Sequence, residues 1–456
     1  LMYLNCHSFH SLRYGTIPLL DLVQQAVFCG VKIMALTDIN TVTGIYDFIK
    51  ACKEAEIKPL VGIEFRCNHQ LRYIGLAKNT NGLAEMNRFL TKNNFENSPL
   101  QSTAPDFNDV TIIYSFENKP TKLKAHEYIG IAPDQLPKLF LPEWKVLLHK
   151  MVVLQPVTFR TKREFNLHKI LRAIDTNVIL SKLTELDYCK RSEIMIPLEE
   201  LLVKFEEYPE IIANTQKLMD QCHFEFDFKS PKNKKYYSGS RENDIQLLTK
   251  LAQEGLIKKY GADNPQATAR VEKELKVIHQ LEFSGYFLIT WDIIQYSRSQ
   301  GFLHIGRGSG ANSIVSYCLG ITDICPIELD LYFERFLNVN RKSPPDFDID
   351  WSWKERDTIL QYIFDKYGAD YVAFCGTNVE FKYRSIFREV GKVFGLPKEE
   401  LDQLAKNPMQ LHDKNQIVKL VQEYGMLLEK YPNQRSMHSC GILISEEPIT
   451  NYTPLE

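Results

Sequence analysis

Residues 345–351 read Pro-Asp-Phe-Asp-Ile-Asp-Trp, a stretch in which aspartates alternate with large apolar residues. Side chains two residues apart on a β-strand point to the same face, so the pattern predicts that Asp346, Asp348 and Asp350 share one face. The apolar residues between them would face a core. Neighbouring carboxylates repel each other unless a cation is present, and paired carboxylates are the ligands that two-metal phosphoryl transfer uses. The alternative is an acidic edge strand that faces solvent.

A glycine-rich turn precedes this stretch at residues 306–310, which read Gly-Arg-Gly-Ser-Gly. It follows a predicted strand at 302–305 and precedes a predicted helix at 311–319. A strand, a glycine turn and a helix N-terminus together form a common anion-binding arrangement, to which Arg307 would add a cation. The turn is not a Walker A loop, because no Gly-Lys-Ser/Thr ends it. The alternative is a tight turn whose glycines adopt positive φ.

Length and composition limit the fold class and the compartment. The chain has 456 residues, of which 44% are hydrophobic and 25% charged, so several domains with separate cores are expected. Its formal net charge of −2 means that a nucleic-acid partner would need local basic patches. The 10 cysteines show no CxxC spacing, which disfavours a zinc ribbon and favours a reducing, cytoplasmic compartment. No apolar run is long enough to span a membrane.

Strand and helix patterns alternate up to about residue 225, in the βαβ rhythm of a largely parallel sheet or barrel. A lysine-rich linker candidate and a second, more helical part follow. The predicted helices lie at 19–27, 45–57, 241–282 and 378–430, the predicted strands at 31–36, 59–63, 71–77 and 438–446, and the linker at 229–235.

Four motifs, in this order and spacing, resemble the palm of the C-family bacterial DNA polymerases, the family of the DNA polymerase III alpha subunits. They are residues 285–289 (Gly-Tyr-Phe-Leu-Ile), 306–311 (Gly-Arg-Gly-Ser-Gly-Ala), 333–338 (Phe-Glu-Arg-Phe-Leu-Asn) and 345–350. Residues 435–441 resemble a further family segment, where the chain returns to the palm after the thumb. The resemblance implies a DNA-directed DNA polymerase, a nucleotidyltransferase that adds dNTPs to a primer 3′ end in DNA replication.

The resemblance also implies the architecture. The fold class is α/β: a PHP (polymerase and histidinol phosphatase) distorted β/α barrel, then a mixed α+β palm like that of nucleotidyltransferases, with a helical thumb insertion. The implied domains are PHP at 1–228, the first part of the palm at 229–375, the thumb at 376–436 and a truncated return to the palm at 437–456. The family's third catalytic aspartate and its fingers would follow Glu456. We therefore expect an N-terminal fragment that is inactive alone.

Roles at the polymerase site follow from the same likeness. Asp346 and Asp348 match the first two catalytic aspartates, which hold two Mg²⁺ ions, whereas Asp350 is expected to be a structural neighbour. The residues matching those near the incoming triphosphate are Arg307, Gly308, Ser309 and Arg335. The implied partners are primer–template DNA, dNTPs, a proofreading exonuclease subunit at the PHP domain, and a sliding clamp bound by regions outside this chain.

Basic residues in the predicted thumb are candidates for DNA binding. They are Lys382, Arg384, Arg388 and Lys392, the last three at i, i+4 spacing. The apolar face of the same predicted helix would contain Val379, Tyr383, Ile386, Val390 and Val393. Such a basic stripe is suited to DNA phosphates. The alternative is a solvated face whose basic residues pair with Glu380 and Glu389.

The metal-ligand set of the predicted PHP domain is incomplete. Only His7, from the opening His-x-His, and Glu64 match the family's ligands. The replaced positions are Asn5, Tyr14, Ile39 (after Asp38), the neighbourhood of Arg72, and residues 156–158. Two ligands cannot hold three metals, so the PHP metal cluster is predicted to be absent and the domain to be structural. His7 and Glu64 would then form a hydrogen-bonded pair. Two alternatives remain: a metal-dependent phosphoesterase or exonuclease, and a non-catalytic scaffold that binds DNA or a proofreading subunit.

Overall fold

The structure, a computed structural model, describes residues 3–341, 344–406 and 416–456. The chain divides into two compact units. The first contains residues 1–226, 376–439 and 450–456, and the second contains residues 227–375 and 440–449.

One mixed eight-stranded sheet forms the centre of the first unit. Its strands are β1 (Tyr3–Cys6), β2 (Ile33–Leu36), β3 (Lys58–Cys67), β4 (Gln70–Ala77), β5 (Val110–Ser115), β6 (Glu127–Ile131), β7 (Met151–Val153) and β8 (Pro156–Val157). Their order is β7-β6-β5-β4-β3-β2-β1-β8. All neighbouring pairs are parallel except that β4 runs antiparallel to β3 and β5. This sheet confirms the predicted α/β class of the N-terminal region.

Helices connect and cover these strands. They are α1 (Leu19–Phe28), α2 (Ile45–Glu54), α3 (Thr80–Glu96), α4 (Pro142–Lys145), α5 (Lys162–Thr176), α6 (Leu198–Lys204) and α7 (Pro209–Asp220). α1 buries Leu19, Leu22, Val23 and Ala26 on one face, which is the periodicity that predicted it. α2 ends earlier than predicted because the backbone turns at Glu56, which has a φ of +55°.

The second unit is mixed α+β. Its first elements are α8 (Arg241–Tyr260), α9 (Pro265–Gln280), α10 (Ser284–Ser299), β9 (His304–Arg307), α11 (Ile314–Cys318), β10 (Asp348–Trp351) and α12 (Arg356–Tyr367). β9 pairs with β10 in antiparallel register. The strand predicted at 302–305 therefore begins later, and the helix predicted at 311 begins at Ile314. A 3₁₀ turn at Gly308–Asn312 separates them, and the Ser313 side chain caps the helix by accepting from Ser316 N.

The remaining elements are β11 (Val372–Glu380), α13 (Tyr383–Val393), α14 (Lys398–Lys406), α15 (Gln416–Leu427) and β12 (Pro432–Ile444). β11 pairs with β12. The helix predicted from residue 378 was therefore wrong at its start, because Val379 lies in an extended strand. Tyr383 is 52% exposed and does not belong to the apolar face either. Within the first unit, α13, α14 and α15 share a hydrophobic core with α5.

No helix in the described residues is both long and apolar enough to cross a membrane. All ten cysteines lie in the described ranges, and none of them forms a disulfide bond.

Candidate functional site

The acidic stretch presents its carboxylates on the exposed side of the second unit. The exposed fractions are 85% for Asp346, 46% for Asp348 and 55% for Asp350. β10 begins at Asp348, so Asp346 precedes the strand. Phe347 points the other way and packs edge-on against Phe287, with ring centroids 5.1 Å apart. The alternation of carboxylate and apolar side chains is therefore present as predicted.

Arg307 binds two of these carboxylates. It lies opposite Asp348 in the β9–β10 register. Its Nε donates to Asp350 Oδ2 at 2.8 Å, and its Nη1 lies 3.4 Å from Asp348 Oδ2. The hydrogen bond to Asp350 and the charges of both aspartates raise the pKa of the Arg307 guanidinium. The three side chains are about half exposed, so these ion pairs contribute little to stability and can be exchanged for other partners.

The backbone of the glycine turn lies directly beside Asp348. Gly308 has a φ of +69°, and a Cβ at this position would lie 2.6 Å from Asp348 Oδ2. Glycine is required here both for the left-handed backbone and for the close approach to the carboxylate. Ser309, the next residue, is half-buried. The turn thus brings Arg307 and Gly308 to the carboxylates.

The helix N-terminus after this turn is already occupied by protein groups, which corrects one part of the prediction. The Ser313 hydroxyl accepts from Ser316 N at 3.1 Å, and the Glu274 carboxylate accepts from Val315 N at 3.3 Å. These amides are therefore not available to a phosphate. An anion bound at this site would have to contact the turn itself and Arg307.

Two further arginines lie in the same part of the chain. Arg335 ends the 3₁₀ turn Phe333–Arg335, and its side chain is exposed. Arg341 Nη2 lies 3.6 Å from Asp346 Oδ1. Among the described residues, the ion pairs of the acidic stretch involve Arg307 and Arg341, not Arg335. Arg341 was not among the predicted site residues, and its only signal in the sequence is a basic residue shortly before Asp346.

The basic residues of the predicted thumb lie on the exposed face of the α13 region, opposite the buried Ile386, Val390 and Val393. The exposed residues are Lys382, Arg384, Arg388 and Lys392. Two of them contact protein groups. Arg388 pairs with Asp402 at 2.9 Å, and Lys392 Nζ donates to Asn177 Oδ1 at 2.6 Å. The alternative of a solvated basic face predicted Glu380 and Glu389 as the partners of these basic residues, and the partners of Arg388 and Lys392 are different residues.

A buried hydrogen-bond network occupies the predicted PHP site. Glu64, which is 1% exposed, accepts from Asn5 Nδ2 at 2.8 Å and from His7 Nε2 at 2.9 Å. Arg66 Nε also donates to Glu64, and Arg66 Nη2 donates to Tyr14 OH at 2.9 Å. His7 and Glu64, the two residues that match the predicted ligand set, are thus in contact. The Arg66 guanidinium bridges Glu64 and Tyr14, the residue predicted to stand in place of a ligand.

Charge compensation in this network depends on Arg66. Burial alone would raise the pKa of Glu64, but the Arg66 cation and the contacts with His7 and Asn5 hold it below its usual range. Glu64 is therefore ionised and paired. Arg66 was not among the predicted site residues, although Glu64 and Arg66 are two residues apart on β3 and so share a face.

The surrounding groups of this site are also hydrogen-bonded. Asp38 accepts from the Ser8 and Ser11 hydroxyls at 2.7 and 2.6 Å, and burial raises its pKa despite these bonds. Burial also lowers the pKa of His168 to about 3, so this imidazole is neutral. In the parts of the chain that the structure describes, no three His, Cys, Asp or Glu side chains are grouped to hold a metal ion.

Two protein families match separate parts of the chain. Residues 4–122 match the PHP domain family, and residues 246–456 match the family described as the bacterial DNA polymerase III alpha NTPase domain. Together these matches include β1–β5 and the whole acidic stretch.

Similar proteins align over nearly the whole chain. An error-prone DNA polymerase of Symbiobacterium thermophilum is 28% identical over all of this chain and 48% of its own length. The DNA polymerase III subunit alpha of Ureaplasma parvum is 29% identical over 99% of this chain and 47% of its own length, and that of Bacillus subtilis is 28% identical over all of this chain and 46% of its own. The chain spans about half the length of these relatives. The chain thus contains a PHP domain followed by a bacterial DNA polymerase III alpha NTPase domain, and relatives named DNA polymerase III subunit alpha align with all or nearly all of it.

Proposed function

We propose that this chain carries two catalytic carboxylates of a DNA polymerase that adds dNTPs to a primer 3′ end under the direction of a template. The main supporting observation is the contact between the glycine turn and the acidic strand. Gly308 lies against Asp348, and Arg307 bridges Asp348 and Asp350. A cation and an exposed turn beside a pair of carboxylates are what a metal-bound triphosphate requires.

Asp346 and Asp348 fit Mg²⁺ as ligands because both are exposed oxygen donors, which this hard cation prefers. Bound Mg²⁺ would neutralise triphosphate charge and lower the pKa of the primer hydroxyl. Arg307 would exchange its weak contact with Asp348 for a phosphate oxygen of the dNTP. Gly308 and Ser309 would orient the triphosphate, and the exposed Arg335 would add positive charge nearby.

Two carboxylates are fewer ligands than a two-metal site normally uses. Asp350, on the same face, is hydrogen-bonded by Arg307. We therefore propose that residues 1–456 alone bind the metal weakly and do not extend a primer. In the complete enzyme another carboxylate, outside these residues, would complete the site.

Primer–template DNA would bind along the exposed basic face of α13. The proposed contacts are Lys382, Arg384, Arg388 and Lys392. Arg388 and Lys392 would exchange their present partners, Asp402 and Asn177, for phosphates. Basic residues on one helix face follow a phosphate backbone without reading its sequence, as a replicating enzyme requires.

For the PHP domain we infer a structural role. Arg66 supplies the positive charge next to Glu64 that a metal would otherwise supply. Metal analysis of the purified chain tests this, since we expect less than one tightly bound zinc or manganese per chain. Several bound metals, together with a nuclease activity that His7→Ala abolishes, would overturn it.

Binding of dATP in the presence of Mn²⁺ tests the proposed nucleotide site on residues 1–456. We expect Asp348→Asn to abolish Mn²⁺-dependent binding. Arg307→Gln should weaken dATP binding by about tenfold, which is the cost of losing a charged hydrogen bond. The same variant should bind Mn²⁺ alone at least as tightly as the wild type, because Arg307 no longer contacts Asp348. The control is Asp365→Asn on α12, an exposed carboxylate. Equal dATP binding by the wild type and Asp348→Asn would refute the site.

A further inference from the structure

Glu274 is a fully buried carboxylate that contacts the chain immediately after the glycine turn. It lies on α9 and has no exposed side-chain surface. Its Oε2 accepts from Ser313 Oγ at 2.8 Å and from Val315 N at 3.3 Å. The Gly308–Asn312 turn ends at the residue before Ser313. The end of the turn is thus bound to the interior of the second unit by a buried carboxyl group.

Arg270, one helical turn earlier on α9, links the same carboxylate to the turn by a second route. Its Nε donates to Glu274 Oε1 at 3.2 Å, and its Nη2 donates to Asn312 O at 3.1 Å. The same Nη2 also donates to Leu331 O. The guanidinium geometry allows these simultaneous bonds, which a lysine at this position would not reproduce. α9, the end of the turn and residue 331 are therefore joined in one network.

The position of the glycine turn also affects the acidic stretch. A Cβ at Gly310 would lie 3.2 Å from Phe347 Cδ1, and a Cβ at Gly308 would lie 2.6 Å from Asp348 Oδ2. The turn therefore packs on the residue between the two proposed metal ligands and against one of the ligands. A small displacement of residues 308–313 would change the space in which a triphosphate meets Asp346 and Asp348.

We propose that Glu274, held by Arg270, is a positioning residue of the nucleotide site. It does not touch the nucleotide but fixes residues 308–313, so that the turn and Arg307 meet the triphosphate. The inference rests on the proposed function. Burial disfavours a charged carboxylate, so a residue needed only to cap a five-residue helix would be served by a neutral group. The need to hold the turn in a fixed position explains why a buried carboxylate, paired with Arg270, is present here.

Two variants and one matched control test this on the chain of residues 1–456. Glu274→Gln keeps the size and one acceptor oxygen but places an NH₂ group or a neutral oxygen against Arg270. Arg270→Lys keeps the charge and removes the fork that reaches Asn312. Glu272→Gln is the control, because Glu272 is exposed on the same helix two residues away.

Three quantities are measured for each protein: hydrogen–deuterium exchange of residues 308–316 relative to 348–351, the dissociation constant of Mn²⁺ alone, and that of dATP with Mn²⁺. We expect both variants to exchange about tenfold faster at 308–316 and to bind dATP about tenfold more weakly, as loss of one charged hydrogen bond implies. Mn²⁺ binding and exchange at 348–351 should stay at the wild-type values. A residue that only stabilises the core would not separate dATP from Mn²⁺ in this way.

Unchanged exchange at 308–316 in Glu274→Gln would overturn the inference, as would faster exchange with undiminished dATP binding. An equal loss of Mn²⁺ and dATP binding, with faster exchange at 348–351 too, would make Glu274 a core residue only. If the wild-type chain binds no dATP, the proposed function fails. Exchange then still decides whether Glu274 fixes the turn: faster exchange confined to 308–316 supports that part of the inference, and unchanged exchange refutes it.

Discussion

Replacing Arg66 with methionine should destabilise the first unit, because it removes the cation from a buried carboxylate. Glu64 is 1% exposed and Arg66 is 15% exposed, so solvent cannot substitute for the lost partner. Glu64 would keep its contacts with His7 and Asn5. Breaking a buried ion pair by removing one partner costs about 3–5 kcal/mol, and the two remaining hydrogen bonds favour the lower end, about 3 kcal/mol at pH 7.

The sign of the pH dependence distinguishes this mechanism from a loss of packing. In the wild type the folded-state pKa of Glu64 lies below its ordinary value. This carboxylate therefore stabilises the fold above the unfolded pKa of about 4.3, and the contribution is lost as the pH falls through the folded pKa. Without Arg66, burial raises the pKa of Glu64, and the resulting penalty at pH 7 decreases as acid protonates the carboxyl. The difference in stability between the two proteins should therefore shrink by about 1 kcal/mol or more between pH 7 and pH 5.

Hydrogen–deuterium exchange of peptides from β3, corrected for the intrinsic effect of pH on exchange, gives the opening free energy at each pH. Arg88→Met, at an exposed site on α3, is the control and should stay within about 0.5 kcal/mol of the wild type. The double variant Arg66→Met with Glu64→Gln should recover most of the loss. A loss that is the same at pH 7 and pH 5, or that persists in the double variant, would show that Arg66 acts through packing and not through charge.

Two further predictions concern the second unit and the basic helix. Gly308→Ala should cost about 1 kcal/mol of backbone strain and also abolish Mn²⁺-dependent dATP binding, because the added methyl group would meet Asp348 Oδ2. The control is Gly239→Ala, where φ is +90° and the surrounding space is open, so that only the backbone strain should appear. Equal dATP binding by the two variants would count against the contact between Gly308 and Asp348. Arg384→Glu should weaken duplex DNA binding and reduce the slope of log affinity against log salt by about one, whereas Lys217→Glu on α7 should not; an unchanged slope in Arg384→Glu would exclude α13 as a phosphate contact.

Much of the fold could be predicted from the sequence where local patterns and tertiary structure agree. The helical spacing of apolar residues in α1 and the alternation of carboxylate and apolar side chains around Asp348 each arise because a single chain segment packs one face against a single core. The boundaries of shorter elements were less predictable. The apolar run after the glycine turn predicted a helix from residue 311, but the 3₁₀ turn and the Ser313 cap delay it to Ile314. A serine directly before an apolar run is a cap signal that could have placed this boundary.

The sequence predicts candidate ligands for the site, but it does not predict the contacts that support them. The resemblance predicts ligand losses at positions such as Asn5 and Tyr14, but it gives no indication of Arg66. Arg66 reaches Glu64 and Tyr14 through a long side chain whose direction depends on the folded sheet. In the same way, Glu274 lies far from the glycine turn in the chain and meets it only through tertiary packing.

Primer extension by the full-length protein that contains these residues tests the central claim most directly. Asp346→Asn and Asp348→Asn should each reduce extension by at least about a thousandfold, because each would remove a proposed metal ligand of the two-metal reaction. Asp350→Asn is the matched control on the same face, where Asp350 binds Arg307 instead of a metal, and it should retain extension within about tenfold of the wild type. Undiminished extension by Asp346→Asn or Asp348→Asn, with DNA binding intact, would contradict the assignment.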